Sequence, residues 1–282
     1  MPHLVKFRLP SGALLAGLLL ILAVPAACWA VPGSKHPSLC KVRHPSDSRI
    51  EWDCLRLKKG ESVETRFGDR WRDVLRFNRV DRRHVYPGVP LKVPRRLEDV
   101  EDFTPMPVEY PGGDNQAKLI LVDLEEQFLG AYEDGKRVFS APVASGDVDN
   151  ETPEGEFGVT AYHSAHRSTE YSIEDTDIPY PMTWALRFHV DRDGVAYWIH
   201  GRDMPGYPAS HGCVGLYDEA MQKKYYKAPR APEMEDAREL FEWAIVPLAD
   251  DGKFHLLKGG PVVRIVGGTR ERKPRKNVQG IH

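Results

Sequence analysis

The residues best equipped for chemistry in this 282-residue chain are Ser210-His211-Gly212-Cys213-Val214-Gly215-Leu216, with Tyr197-Trp198-Ile199-His200-Gly201 just upstream. A thiolate is the strongest nucleophile that side chains offer, and it needs a histidine-like base to form near neutral pH. This segment supplies both partners: a cysteine in a Ser-His-Gly-Cys turn and a histidine closing an apolar run. The expectation is acyl transfer with Cys213 as nucleophile and His200 as its base, and a thiol that alkylates faster than a model thiol at pH 7. The same residues could be grouped as a metal site, with His163, His166, His189 and His211 joining His200 and Cys213. They form no familiar ligand spacing, and a metal would occupy the thiolate. Asp191-Arg192-Asp193-Gly194 lacks the following bidentate acid of a calcium loop. No metal and no cofactor are expected.

The elements that must position these residues are mostly strands. From Ala117 onward, runs at 118–123, 128–132, 138–145, 186–190, 195–200 and 262–266 carry strand-like apolar patterns. Two of the gaps, Glu133-Asp134-Gly135-Lys136 and Asp191-Arg192-Asp193-Gly194, are hairpin signals. Helix is sparse, mainly 218–226 and 233–243. Charged residues make up 28% and apolar ones 41% of the chain, ordinary for a globular protein, and a net charge of -2 gives no sign of a nucleic-acid partner.

The N-terminus reads as a processing segment. Lys6 and Arg8 precede an apolar run at 13–27, and Cys28-Trp29-Ala30 places small residues at the -3 and -1 positions of a cleavage site. Residues 1–30 are expected to be a secretory signal peptide, giving an exported protein in the periplasm or cell envelope. Lipidation of Cys28 and an uncleaved anchor are the alternatives. Cleavage after Ala30 removes two basic and no acidic residues and leaves a charge of -4. Of the four cysteines, Cys40 and Cys54 then lie close together in a compartment that permits disulfides, and they are expected to pair. The closed loop is worth about 3 kcal/mol in the chain-entropy model. Cys213 is left as the odd thiol.

Residues 31–52 read as an irregular lead-in. The unit at 53–95 has a short strand at Leu55-Arg56-Leu57, a helix capped by Ser62, a second helix carrying Trp71, Val74 and Leu75 and stopped by Asn78, and a closing strand at Leu91-Lys92-Val93-Pro94. Its Lys59-Gly60-Glu61-Ser62, Asn78-Arg79-Val80 and Gly88-Val89-Pro90-Leu91-Lys92-Val93-Pro94 resemble a LysM module, which implies binding to peptidoglycan glycan strands. Residues 96–115 read as an acidic, proline-containing linker. Residues 116–267 form the catalytic domain, and 268–282 a basic, disordered tail.

Within that domain, Val143-Ala144-Ser145-Gly146, Thr152-Pro153-Glu154-Gly155-Glu156-Phe157, His200-Gly201 and Ser210-His211-Gly212-Cys213-Val214 occur in order. Together they resemble the L,D-transpeptidases of the YkuD type. The resemblance implies a mainly β fold, an L,D-transpeptidase-type β-sandwich preceded here by the small α+β LysM-like module. It also implies a peptidoglycan tetrapeptide stem as acyl donor, loss of D-alanine, and acylation of Cys213 by carbapenems. The acceptor stays open among a stem amine, the lysine of an envelope protein, and water. Water would make the enzyme a carboxypeptidase or amidase, and a wall-binding relic is a further alternative.

On this resemblance His200 serves as base and later acid, oriented by the Gly201 carbonyl, and the N–H groups of Gly212 and Cys213 form the oxyanion hole. Gly212 also leaves room for the substrate carbonyl. Ser210 and His211 shape the turn and contact substrate, while Tyr162, Trp184 and Arg187 are candidates for lining the cleft. Two departures stand out. Many members carry arginine two residues after the cysteine, where this chain has Gly215, so Arg202 or Arg187 is the expected substitute. The interval from His200 to Cys213 is short, and residues 223–235 are a candidate lid.

Overall fold

A computed structural model describes residues 37–111, 116–248 and 250–268. The expected signal peptide with Cys28, the start of the lead-in, residues 112–115 and the tail from 269 lie outside the described residues.

The N-terminal region folds as β1 (Trp52–Arg56), α1 (Val63–Phe67), α2 (Trp71–Asn78) and β2 (Pro90–Pro94). β1 and β2 pair antiparallel. Ser62 caps α1, its hydroxyl accepting from the Thr65 N–H. α2 buries Trp71, Val74, Leu75 and Phe77 on one face. Asn78 is the last residue of α2 rather than a stop beyond it. The chain turns at Arg79, whose φ is 55°, and the Asn78 amide bridges the Val74 and Lys92 carbonyls. A disulfide joins Cys40 to Cys54, tying the lead-in to β1.

The remaining chain is mainly β: β3 (Lys118–Asp123), β4 (Phe128–Glu133), β5 (Lys136–Pro142), β6 (Gly155–Gly158), β7 (Ala161–Ser172), β8 (Pro179–Val190), β9 (Ala196–Arg202), β10 (Val214–Tyr217), β11 (His255–Leu256) and β12 (Val262–Val266), with helices α3 (Glu219–Tyr226) and α4 (Asp236–Ile245). One sheet runs β10-β9-β8-β7-β11, the other β5-β4-β3-β12-β6. The β4–β5 hairpin turns on Asp134 and Gly135, both at positive φ, as a two-residue hairpin prefers. Ile120, Leu129 and Ile265 of one sheet, Phe188, Ile199 and Leu216 of the other, and Leu240 and Phe241 of α4 share one core. That shared core makes the two sheets a sandwich covered by a helix.

The stretch expected as a linker is packed. Leu97–Val100 is a short 3-10 helix, and Val100, Phe103 and Met106 join Phe77 of α2 and Leu119, Leu121 and Phe128 of the second sheet in another core. A third core mixes both halves of the chain: Leu39, Leu75, Val80 and Leu91 with Ala144, Met204, Tyr217 and Met234. A buried polar junction lies between them. Arg79, fully buried, reaches Asp47, Ser46, the Glu126 carboxylate and the Glu126 carbonyl. Lys92 Nζ pairs with Asp47 at 2.7 Å, and Ser46 Oγ donates to Glu126 at 2.5 Å. Burial of so many charges is tolerated because each has partners.

Candidate active site

β9 and β10 run parallel, with Ile199 opposite Val214 and His200 opposite Gly215. The nucleophile candidate Cys213 leads straight into β10, so base and thiol come from neighbouring strands joined only by residues 203–213. Parallel neighbours usually need a longer crossover, and this one is held by many contacts.

His200 is 4% exposed. Its Nδ1 lies 2.8 Å from the Gly201 carbonyl. A carbonyl only accepts, so Nδ1 carries the proton and Nε2 is left with a free lone pair. Burial, reinforced by Arg202 and His166, lowers the His200 pKa to about 3 despite the Gly201 carbonyl. The ring is a neutral base throughout the physiological range. Gly201 is required by its surroundings: a Cβ there would lie 2.5 Å from Asp218 Oδ2 and 2.7 Å from Thr183 Oγ1.

Cys213 is the one free cysteine among the described residues and is half-buried, packed against Ala161, Met182, Ala185 and Trp198. Burial pushes its thiol above the ordinary value, more than the Trp198 N–H and Arg202 pull it down. Desolvation disfavours the charged form of both groups.

The turn before Cys213 is built from inside. Gly212 has φ 103°, and a Cβ would meet Tyr197 at 2.6 Å. Its N–H donates to Ser210 Oγ at 3.1 Å, and Ser210 Oγ donates to the Cys213 carbonyl at 2.5 Å. The Gly212 N–H, expected as half of an oxyanion hole, is thus engaged within the turn. Ser210, 2% exposed, braces the turn. His211 is exposed and stacks on Tyr171 of β7, with ring centroids 4.1 Å apart.

Residues not assigned from sequence complete the brace. Thr152 Oγ1 donates to the Gly212 carbonyl and accepts from the Gly146 N–H, both at 2.9 Å. The Ser145 carbonyl accepts from Ala209 and Ser210 N–H, and Gln127 grips Ser145 through both its amide atoms. The Ala-Ser-Gly and Thr-Pro-Glu-Gly patterns were the signal for this loop, but nothing in them specified partners.

The other candidates separate. Arg202 lies along Gly215, where a Cβ would sit 1.8 Å from its Cδ. Its Nε donates to the Asp203 carbonyl and its terminal nitrogen to the Ala209 carbonyl. The Arg202 side chain of β9 thus fills the space beside Gly215 of β10. Arg187 sits over Trp198 and Phe254, on the Trp198 side of the thiol. Tyr162 is 4% exposed and packs into the main core against Phe241, stacked on His255, so it lines no cleft. Trp184 faces α4, against Phe241 and under Arg238. The expected lid segment begins within the last turn of α3, where Lys223 and Lys224 are exposed, and its Met234 is buried in the mixed core. A surface depression of about 480 Å³ lined by Arg43, Ser48, Trp52 and Arg95 lies in the N-terminal region and holds none of the catalytic candidates.

His200 thus lies on β9 and Cys213 immediately before its parallel neighbour β10, both within a β-sandwich. A family model for the L,D-transpeptidase catalytic domain, YkuD, matches residues 117–263, more than half of the chain, and the chain belongs to that family. The putative L,D-transpeptidase YqjB of Bacillus subtilis (strain 168) is 28% identical over 147 residues, covering 48% of this chain and 84% of that protein. Among solved structures, an L,D-transpeptidase from Stackebrandtia nassauensis is 22% identical, covering 54% of this chain and 57% of its own, with a TM-score of 0.35. One from Xylanimonas cellulosilytica DSM 15894 is 21% identical, covering 68% and 78%, with a TM-score of 0.38. The chain thus spans little more than half the length of the first of these structures.

Proposed function

We propose that this protein is an exported L,D-transpeptidase of peptidoglycan that works through a Cys213 thioester. The observation that carries this is the His200 ring, held by the Gly201 carbonyl on a strand paired with the one that Cys213 directly precedes. Substrate arrival excludes water, and the thiol proton passes to His200 Nε2 as sulfur attacks the carbonyl before the terminal D-alanine of a tetrapeptide stem. The carbonyl oxygen takes the negative charge, facing the Cys213 N–H. Collapse breaks the C–N bond, and His200 returns its proton to the leaving D-alanine amine. An amine then attacks the thioester, loses its proton to His200, and releases the thiol. A second stem gives a 3-3 cross-link, and a lysine of an envelope protein gives attachment.

Arg202 serves this site as the cation near both Cys213 and His200 and as the anchor for a substrate carboxylate, with Arg187 and His211 at its rim. Residues 53–95 act as a LysM-like module on glycan strands, a reading supported by the strand-helix-helix-strand order of β1, α1, α2 and β2. Incubation of the protein with disaccharide-tetrapeptide, followed by mass spectrometry, tests the activity. A dimer lacking one D-alanine is the expected product. Tripeptide with free D-alanine alone would replace the transpeptidase with a carboxypeptidase, and unchanged tetrapeptide would refute the assignment.

A further inference from the structure

The segment that joins base to nucleophile is held from the N-terminal half of the chain. Asp81 follows α2 by three residues and is fully buried. Its backbone N–H donates to the Met204 carbonyl at 2.8 Å, and its Oδ2 accepts the Met204 N–H at 2.8 Å. Gln222 of α3 donates to the same oxygen at 2.6 Å. The other oxygen accepts the His84 N–H and faces His84 Nδ1 at 2.7 Å. Val80 forms an isolated antiparallel bridge with Pro205. Gly206, at φ 91°, fits so closely that a Cβ would lie 2.6 Å from Leu39 and 3.1 Å from the Asn78 carbonyl. Arg83 pairs with Asp203 at 3.0 Å. On β10, the Tyr217 hydroxyl reaches the Leu75 and Val80 carbonyls.

These contacts grip the short connection on both sides of its path. Met204 is two residues beyond β9, and Tyr217 ends β10. Free backbone N–H and C=O groups in such a loop would otherwise need water or other partners. Here a carboxylate that accepts donors at both oxygens fixes one peptide unit, and an ion pair fixes its neighbour. A catalytic pair separated by a bend of this length depends on where the bend sits, since a displacement of about 1 Å costs on the order of a hundredfold in rate.

We propose that Asp81, seconded by Arg83, is a positioning residue for the Cys213–His200 site, so that the N-terminal unit is a working part of the active centre and not only a binding module. The inference rests on the assignment of Cys213 and His200 above. It differs from it in acting through the Asp203-Met204-Pro205-Gly206 bend without touching substrate.

The test compares Asp81→Asn and Arg83→Gln with Glu126→Gln, which loosens the same N-terminal unit at the buried Arg79 junction, away from the bend. Asn keeps the shape of Asp81 but turns one acceptor into a donor facing donors. Arg83 is half-buried, so its variant folds even if Asp81→Asn does not. Three readouts are taken on the full chain: kcat and KM on disaccharide-tetrapeptide, the rate of Cys213 acylation by imipenem from intact mass, and amide hydrogen exchange across 203–212. Asp81→Asn is expected to lower kcat and acylation about tenfold or more with KM within twofold, and to speed exchange in 203–209. Arg83→Gln is expected to do the same to a lesser extent. Glu126→Gln is expected to melt earlier yet keep both rates and the exchange pattern of 203–209. Unchanged rates or exchange in both bend variants, or an equal loss in Glu126→Gln, would overturn the proposal. Wild-type protein inert to tetrapeptide and imipenem would instead overturn the enzymatic assignment, and exchange would still decide whether Asp81 holds the bend.

Discussion

Replacing Gly201 with alanine tests the orientation of His200 most directly. The new Cβ would stand 2.5 Å from Asp218 Oδ2, 2.7 Å from Asp218 Cβ and 2.7 Å from Thr183 Oγ1. Ordinary contact begins near 3.4 Å, so the overlap is about 0.7–0.9 Å. Asp218 cannot withdraw cheaply. Its Oδ1 caps α3 by accepting the Met221 N–H at 2.7 Å, and its Oδ2 accepts from Thr183. The β9 backbone must give way, carrying the Gly201 carbonyl off His200 Nδ1. Overpacking of this kind costs about 1–3 kcal/mol, and about 2–4 °C of Tm per kcal/mol follows for a chain of this size. The larger effect is kinetic. A ring displaced by close to 1 Å loses on the order of a hundredfold in kcat, and KM is expected to change little, since the Gly201 carbonyl is turned to the His200 ring. The assay is kcat on disaccharide-tetrapeptide, measured well below the Tm of the variant. A kcat within threefold of wild type, in a variant whose Tm has fallen, would mean that the Gly201 carbonyl does not set the base.

The remaining predictions concern charge. Because burial raises Cys213 and lowers His200, iodoacetamide should alkylate the free enzyme slowly at pH 7 and faster into the alkaline range. A rate plateau already reached by pH 7 would show a standing thiolate–imidazolium pair. Gly215→Ala should push Arg202 off the Asp203 and Ala209 carbonyls at a cost of about 1–3 kcal/mol, seen as a lower urea midpoint and a raised KM. An unchanged KM would remove Arg202 from substrate binding. Glu126→Ala should cost about 3–5 kcal/mol by leaving Arg79 short of a buried partner, and a loss under 1 kcal/mol by urea titration would contradict the role of that junction. Finally, His44 and His200 are held near 3 and His166 near 4, in each case chiefly by burial. Below the usual histidine range the unfolded chain takes up protons that the folded chain refuses, so the buried His44 and His200 each contribute a loss of up to about 1.4 kcal/mol per pH unit as pH falls from about 6.5 toward those values, and the part-exposed His166 contributes less. Glu235, raised to about 7 mainly by burial, opposes them between about 7 and 4.5. The net expectation is a urea midpoint that drops from pH 6.5 to 4.5, and a midpoint that rises would refute it.

The strands that bury one or both faces were legible from sequence. Lys118–Asp123 is a run with four buried residues in succession, and Val262–Val266 alternates inward Val263 and Ile265 with half-buried neighbours. β7 was not legible. It buries only Ala161, Tyr162 and Ser164, and its outer half is polar and exposed, so neither periodicity nor composition marks it. β10 escaped notice because four residues, all buried, follow directly on a turn read for its chemistry. The position of Arg202 over Gly215 was open in advance because side chains of adjacent strands meet only once register is known. The sheet faces of Tyr162 and Trp184 were open in advance because strand side chains alternate between faces; Tyr162 packs into the core against Phe241 and Trp184 against α4. The packing of 97–111 was hidden by its acid and proline content, since three well-spaced apolar residues, Val100, Phe103 and Met106, are enough to seat it.

The mixed core around Leu39, Leu75, Val80, Met204 and Tyr217 bears on how this chain can be cut and recombined. The family match starts at 117, yet a protein shortened to that point would lose one wall of that core and the partners of Glu126 and Met204, and the Arg76 that pairs with Asp236 at 2.9 Å. It should emerge insoluble or partly unfolded, with raw apolar surface beside the nucleophile. Grafting a different unit in front of the sandwich would meet the same obstacle unless the graft also carried an acid at the place of Asp81, a close-fitting wall for Gly206 and apolar side chains in matching places. The two halves are therefore expected to travel through sequence divergence as one unit of inheritance, with changes in the bend at 203–206 accompanied by changes around Asp81.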